Sequence, residues 1–124
     1  MCGIVGYIGE RSRDKNTISK MLEQIIHRGP DGFSQYTSLN YFGGMRRLAI
    51  NDLQSGNQPL FNKEKNVVVF YNGEIYNSPS LRKELQKKGY KFRTKSDGEV
   101  ICHLFDEYKT DSFKYLEGMF AISL

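Results

Sequence analysis

The chain begins Met1-Cys2-Gly3, and removal of Met1 would leave a thiol and a free α-amine on the same residue. The thiolate is the attacking form of cysteine, and a free thiol titrates at about 8.5. An α-amine titrates at about 7.7–8.0, so part of it is an unprotonated base near neutral pH. One residue could then supply both nucleophile and base, with no separate histidine. With Met1 retained, the amine becomes an amide and that base is lost. Acyl transfer also needs donors for an oxyanion. Asn72-Gly73 follows an apolar run and offers a side-chain amide together with a backbone N–H that a ligand can approach closely. Arg47 can clasp a carboxylate through two parallel bonds, and Asp97 can receive an ammonium. The four positions together suit an amino-acid ligand.

Each residue also has a plainer reading. Cys2 could be a small hydrophobe near the terminus. Asn-Gly is by itself a hairpin signal. Arg47 could be a solvated strand residue, and its neighbour Arg46 must point to the opposite face, so only one of the two can enter a site. Asp97 could be an acid at a helix start, favoured there by the helix dipole. His27 falls at a helix C-terminus, where histidine is favourable in its own right. Cys102 and His103 fall off the apolar stripe of their helix, which makes them a weak metal pair at most. Pro30-Asp31-Gly32 reads as a turn framing the pocket.

These residues need elements to position them. "CGIVGYIG" reads as a strand. Residues 16–27 carry Ile18, Met21, Leu22, Ile25 and Ile26 at the spacing of one helix face, ended by "RGPDG". "FSQYTSLN" and "YFGGMRRLAI" form a hairpin turning near Asn40, and "NDLQSGNQPL" is a polar loop. "NVVVFY" reads as a strand buried on both faces, with Asn72-Gly73 as turn chemistry after it. Ser78 would cap a helix with Pro79 at its first position and an end at Gly89. "YKFRT" alternates as a short strand. Ser96 and Glu99 have capping-box spacing, before a helix with Val100, Ile101, Leu104, Phe105 and Tyr108 on one face. "GMFAISL" returns to strand character. Two hairpin-like pairs and three helices indicate a layered α+β architecture.

Composition narrows the function classes. The 124 residues make one domain or part of one, with 39% hydrophobic and 13% aromatic residues. Net charge is +4, with basic and acidic residues interspersed. A solvated lysine-rich surface is favoured over a nucleic-acid patch. No apolar run is long enough for a membrane span and no secretory signal is visible. Two cysteines make no disulfide framework. A cytoplasmic setting is the expectation.

The stretches "MCGIVGYIG", "HRGPDG", "RRLAINDLQSGNQPL", "VVFYNGEIYN", "LRKEL", "TKSDGEVI" and "EGMFAISL" carry a family resemblance from Met1 to Leu124. The chain resembles the glutaminase domain of class II glutamine amidotransferases, of the glutamine-dependent asparagine synthetase type. "HRGPDG" and "RRLAIND" set it apart from the phosphosugar and phosphoribosyl amidotransferases, which look different there. The resemblance implies an Ntn-hydrolase αββα four-layer sandwich. It implies Cys2 as nucleophile, Asn72 and Gly73 as the oxyanion hole, and Arg47 as partner of the glutamine α-carboxylate. Asp97 and Glu74 would meet the α-ammonium, and the backbone of Leu48, Ala49, Ile50 and Asn51 would line the pocket.

It further implies that residues 1–124 are a partial glutaminase domain, incomplete at its C-terminus. The synthetase domain would lie outside this chain, and with it ATP, Mg, the aspartate site and the ammonia tunnel. The glutaminase part itself would use no cofactor and no metal. Expected partners are L-glutamine, a synthetase domain or subunit, and a second copy in a homodimer, with no nucleic acid and no membrane. The expected reaction converts glutamine to glutamate and ammonia through a Cys2 thioester, the ammonia being destined for ATP-activated aspartate. Two alternatives stay open: a truncated, non-catalytic glutamine-binding or assembly fragment, and an amidotransferase with another acceptor, such as a cell-surface sugar.

Overall fold

A computed structural model describes residues 2–9, 16–48 and 57–124. The first sheet has the order β1-β3-β2, with β1 over Gly3–Ile8, β2 over Gly32–Thr37 and β3 over Tyr41–Arg47. Both outer strands run antiparallel to β3, and Gly3 and Gly32 lie opposite Arg46 and Arg47. The β2–β3 hairpin turns through Leu39 and Asn40, closed by a bond from the Ser38 N–H to the Tyr41 carbonyl at 2.8 Å. The second sheet has the order β4-β5-β6, with β4 over Leu60–Phe61, β5 over Val68–Ile75 and β6 over Gly118–Ser123, again antiparallel.

Helix α1, Thr17–Gln24, covers the outer face of the first sheet, burying Ile18 and Leu22 beside Phe42. Helices α2, Ser78–Lys87, and α3, Glu99–Tyr108, cover the second. Their core is the larger one and joins Val69, Tyr71 and Ile75 to Leu81, Leu85, Val100, Ile101 and Leu104. The sheets themselves meet through β1 and β3 against β5 and β6. Layer order is therefore helix, sheet, sheet, helix, as the α+β αββα expectation has it. At the centre of β3, two adjacent glycines make this stacking possible. A Cβ on Gly43 would lie 2.7 Å from the Phe70 ring of the second sheet, and one on Gly44 would lie 3.0 Å from Leu22 of α1. Neighbouring strand residues face opposite ways, so each glycine admits one neighbouring layer.

Several local expectations are corrected. Asn72-Gly73 is not a turn: both residues lie inside β5, opposite Ala121 and Phe120 of β6. Turn chemistry is a local signal, and a partner strand from the far end of the chain overrides it. "YKFRT" forms no strand, because the Arg93 and Thr94 N–H groups donate instead to the Glu99 carboxylate at 2.7 and 2.8 Å. Glu99 is thereby drawn away from the capping box with Ser96, and Gly98 is the N-cap of α3. Asn77, not Ser78, is the N-cap of α2, with Pro79 one position further in. The first helix stops at Gln24, and a separate 3-10 turn over Ile26–Arg28 leaves Ile26 exposed. Cys102 and His103, expected off the apolar stripe, are both buried, because the sheet lies on one side of α3 and α2 packs on another.

Candidate functional site

Antiparallel pairing brings the start of β1 to the end of β3, so Cys2 arrives beside Arg47 and Leu48. The Cys2 Sγ accepts the Leu48 N–H at 3.3 Å, and its thiol reaches the Leu48 carbonyl at 3.7 Å. Arg28, at the end of the 3-10 turn, donates to the Cys2 carbonyl at 3.5 Å. The "RGPDG" segment passes behind Arg47, whose carbonyl accepts the Asp31 N–H at 3.0 Å. Cys2 is thus held by Leu48 and by Arg28.

A cleft of about 490 Å³ opens at this point. Cys2, Arg47, Leu48, Gly73, Glu74 and Asp97 line it, together with Met45, Gln58, Ile75, Tyr76, Ser78, Pro79, Lys95 and Ser96. Arg47 enters from the end of β3, where it also donates to Asn57 at 2.6 Å. Arg46 turns the other way, donating to the Leu22 carbonyl of α1 at 3.0 Å and lying over the Phe33 ring. Gly73, with φ of +147°, lies within the β5–β6 pairing opposite Phe120, and a Cβ there would collide with the Met119 carbonyl. Only glycine keeps the backbone in this conformation and against β6. Asn72 is half-buried in the same strand and does not line the cleft. Ala49, Ile50 and Asn51 lie outside the described residues.

Asp97 closes the far side. Its Oδ1 accepts the Gly98 N–H at 2.9 Å and its Oδ2 accepts the Ile75 N–H at 2.8 Å. The Tyr71 hydroxyl lies 2.6 Å from the same Oδ2 and 2.6 Å from the Gly73 carbonyl oxygen. Burial, together with the Asp97 carboxylate, pushes the Tyr71 phenol well above its usual range, so it keeps its proton. Gln58 clips the same strand from outside: its Oε1 accepts the Tyr71 N–H at 2.6 Å and its Nε2 donates to the Tyr71 carbonyl at 2.7 Å. Tyr71 and Gln58 were missed by the sequence reading. Tyr71 looked like any residue of an apolar strand, and Gln58 acts through a long-range contact with no local signature.

Cationic Arg47 and Lys95 share the cleft lining with anionic Glu74 and Asp97, a charge complement matched to a zwitterion beside a thiol. His27 is exposed on the 3-10 turn and does not line this cleft. Cys102 is excluded as a second nucleophile. It is fully buried, and burial, helped by the Glu99 and Asp106 charges, pushes its thiol up to about 12. Among the described residues no group of three or more His, Cys, Asp and Glu side chains could hold a metal ion, and no helix is long and apolar enough to cross a membrane.

Comparison with known proteins places the chain. Residues 1–124 match the family described as the glutamine amidotransferase domain. The chain is 44% identical over 127 residues to asparagine synthetase [glutamine-hydrolyzing] 1 of Arabidopsis thaliana, covering 100% of this chain and 21% of that protein. It is 39% identical over 126 residues to asparagine synthetase [glutamine-hydrolyzing] 1 of Bacillus subtilis, covering 98% and 20%. It thus spans about a fifth of the length of these curated relatives. Among solved structures, a glutamine phosphoribosylpyrophosphate amidotransferase from B. subtilis has the same fold, with a TM-score of 0.75 at 20% identity over 98% of this chain and 34% of that one.

Proposed function

Because the chain belongs to the glutamine amidotransferase domain family, we propose that it hydrolyses the side-chain amide of L-glutamine through a thioester on Cys2. The observation that carries this reading is one cleft in which Cys2 meets Arg47, Gly73, Glu74 and Asp97. With Met1 removed, the Cys2 amine takes the thiol proton and the sulfur attacks the amide carbon. The carbonyl electrons move to oxygen, which the Gly73 N–H holds; Asn72, outside the cleft lining, takes no part in this step. Collapse of this intermediate expels ammonia, which leaves with a proton from the Cys2 ammonium. Water, deprotonated by the same amine, then opens the thioester to glutamate. Arg47 holds the α-carboxylate, Asp97 and Glu74 hold the α-ammonium, and Leu48 lines the pocket.

The share of the relatives that this chain covers supports a wider assignment. Residues 1–124 are the N-terminal part of a glutaminase domain, and the ammonia serves aspartate activated by ATP and Mg on a synthetase domain or subunit. A cytoplasmic setting and a homodimer belong to the same reading.

Ammonia release from glutamine, by protein whose intact mass shows Met1 removed, tests the proposal. Cys2→Ala abolishes release and Cys102→Ala preserves it. Undiminished turnover by Cys2→Ser overturns the thiolate route, and absence of release by the Met1-free parent protein overturns the activity.

A further inference from the structure

Three oxygens at the end of β5 share one phenolic proton. Tyr71 Oη lies 2.6 Å from Asp97 Oδ2 and 2.6 Å from the Gly73 carbonyl oxygen. A hydroxyl has a single hydrogen to give, so at any moment it can donate to one of the two. The ring that carries it is 4% exposed, and Gln58 holds the Tyr71 backbone at both its N–H and its carbonyl, so the phenol cannot swing to a third partner. Asp97 Oδ2 already accepts the Ile75 N–H.

Resting on the glutaminase reading above, we infer that Tyr71 is a positioning residue that couples occupancy of Asp97 by the substrate α-ammonium to the Gly73 corner. With the cleft empty, the carboxylate attracts the phenolic hydrogen more strongly than a neutral carbonyl does, because charge-assisted bonds are the stronger ones. An ammonium arriving on Asp97 competes for the same lone pairs and weakens that pull. The hydroxyl then donates to the Gly73 carbonyl, which lies one Cα from the Gly73 N–H assigned to the oxyanion. The corner is thereby fixed when the correct substrate end is in place, and a ligand lacking the amine leaves it loose. No proton leaves Tyr71; only its hydrogen bond changes partner.

The test compares L-glutamine with the monoamide of glutaric acid, which keeps the carboxylate and the amide but lacks the α-amine. Both are assayed with the Met1-free parent protein and with Tyr71→Phe, and thermal unfolding confirms that each is folded. Tyr71→Phe should lower kcat for glutamine about tenfold, the range expected from one lost hydrogen bond in a desolvated site. It should lower kcat for the monoamide by less than about twofold, with KM for glutamine little changed, as expected for loss of an interaction made after binding. Equal losses on the two substrates, or no loss on either, in a folded variant overturn the coupling while leaving the glutaminase reading intact. If the parent protein hydrolyses neither substrate, the glutaminase reading falls and the coupling falls with it.

Discussion

Arg47 and His103 show how one side chain's surroundings decide what its charge does. Arg47 is half-buried in the cleft lining, with its guanidinium donating to Asn57. In the proposed reaction its contribution is capture of the substrate carboxylate, which is the same before and during the reaction. Arg47→Ala is therefore expected to raise KM for glutamine about 10- to 100-fold, the equivalent of one charge-assisted bond, with kcat little changed. Steady-state kinetics checks this. His103 is the opposite case. It is 3% exposed, both ring nitrogens lack a hydrogen-bond partner, and the Tyr90 and Phe92 rings pack against it. Burial, with some help from Arg82 and Arg93, holds its pKa below the ordinary value against the opposing charges of Glu99 and Asp106. The unfolded chain then binds the proton more readily than the folded one, so stability is full above about pH 6.5 and is lost as pH falls below it. Urea midpoints at pH 7.5 and 5.5 should differ less for His103→Gln than for the parent.

At the scale of elements, the segment between α2 and α3 depends on Glu99. Its two oxygens accept the N–H groups of Arg93 and Thr94, and the Thr94 hydroxyl at 2.7 Å. Glu99→Ala would leave two backbone donors unpaired beside a buried face. A loss of about 2–6 kcal/mol is expected, at roughly 1–3 kcal/mol for each orphaned group, measurable by equilibrium urea unfolding. The same residue shows what was legible beforehand. Glu99 was visible as a helix-start acid, but its partners lie upstream in a segment whose alternation suggested a strand. Strand β5 was legible from its apolar run because burial on both faces leaves no polar alternation. Its continuation through Asn72-Gly73 was not, because β6 lies more than forty residues away and nothing near Gly73 announces it. The candidate site divides in the same way. Cys2, Arg47 and Asp97 were readable from the chemistry of their side chains, whereas Tyr71 and Gln58 act through a strand whose neighbours only the fold supplies.

For the whole molecule, four layers rest on a crossing at the middle of β3. Phe70 is fully buried and occupies the space left by Gly43, while the Tyr41 hydroxyl and the Ser123 hydroxyl join the two sheets at 2.8 Å nearby. Gly43→Ala is expected to destabilise by about 1–3 kcal/mol, the usual range for overpacking a filled interior. Gly44→Ala is expected to be milder, because the nearest atoms, methyl groups of Leu22 and Ile18, lie at 3.0 and 3.2 Å. Thermal unfolding of the two variants side by side distinguishes them.

The bare backbone at Gly43 works as a gauge for the spacing of the two halves. A single methyl group there is a wedge, and the strand it would tilt is the one whose tip carries Arg47 four residues on. Damage done in the middle of the molecule would first be felt at the mouth of the cleft, as weaker hold on glutamine in a protein that still folds.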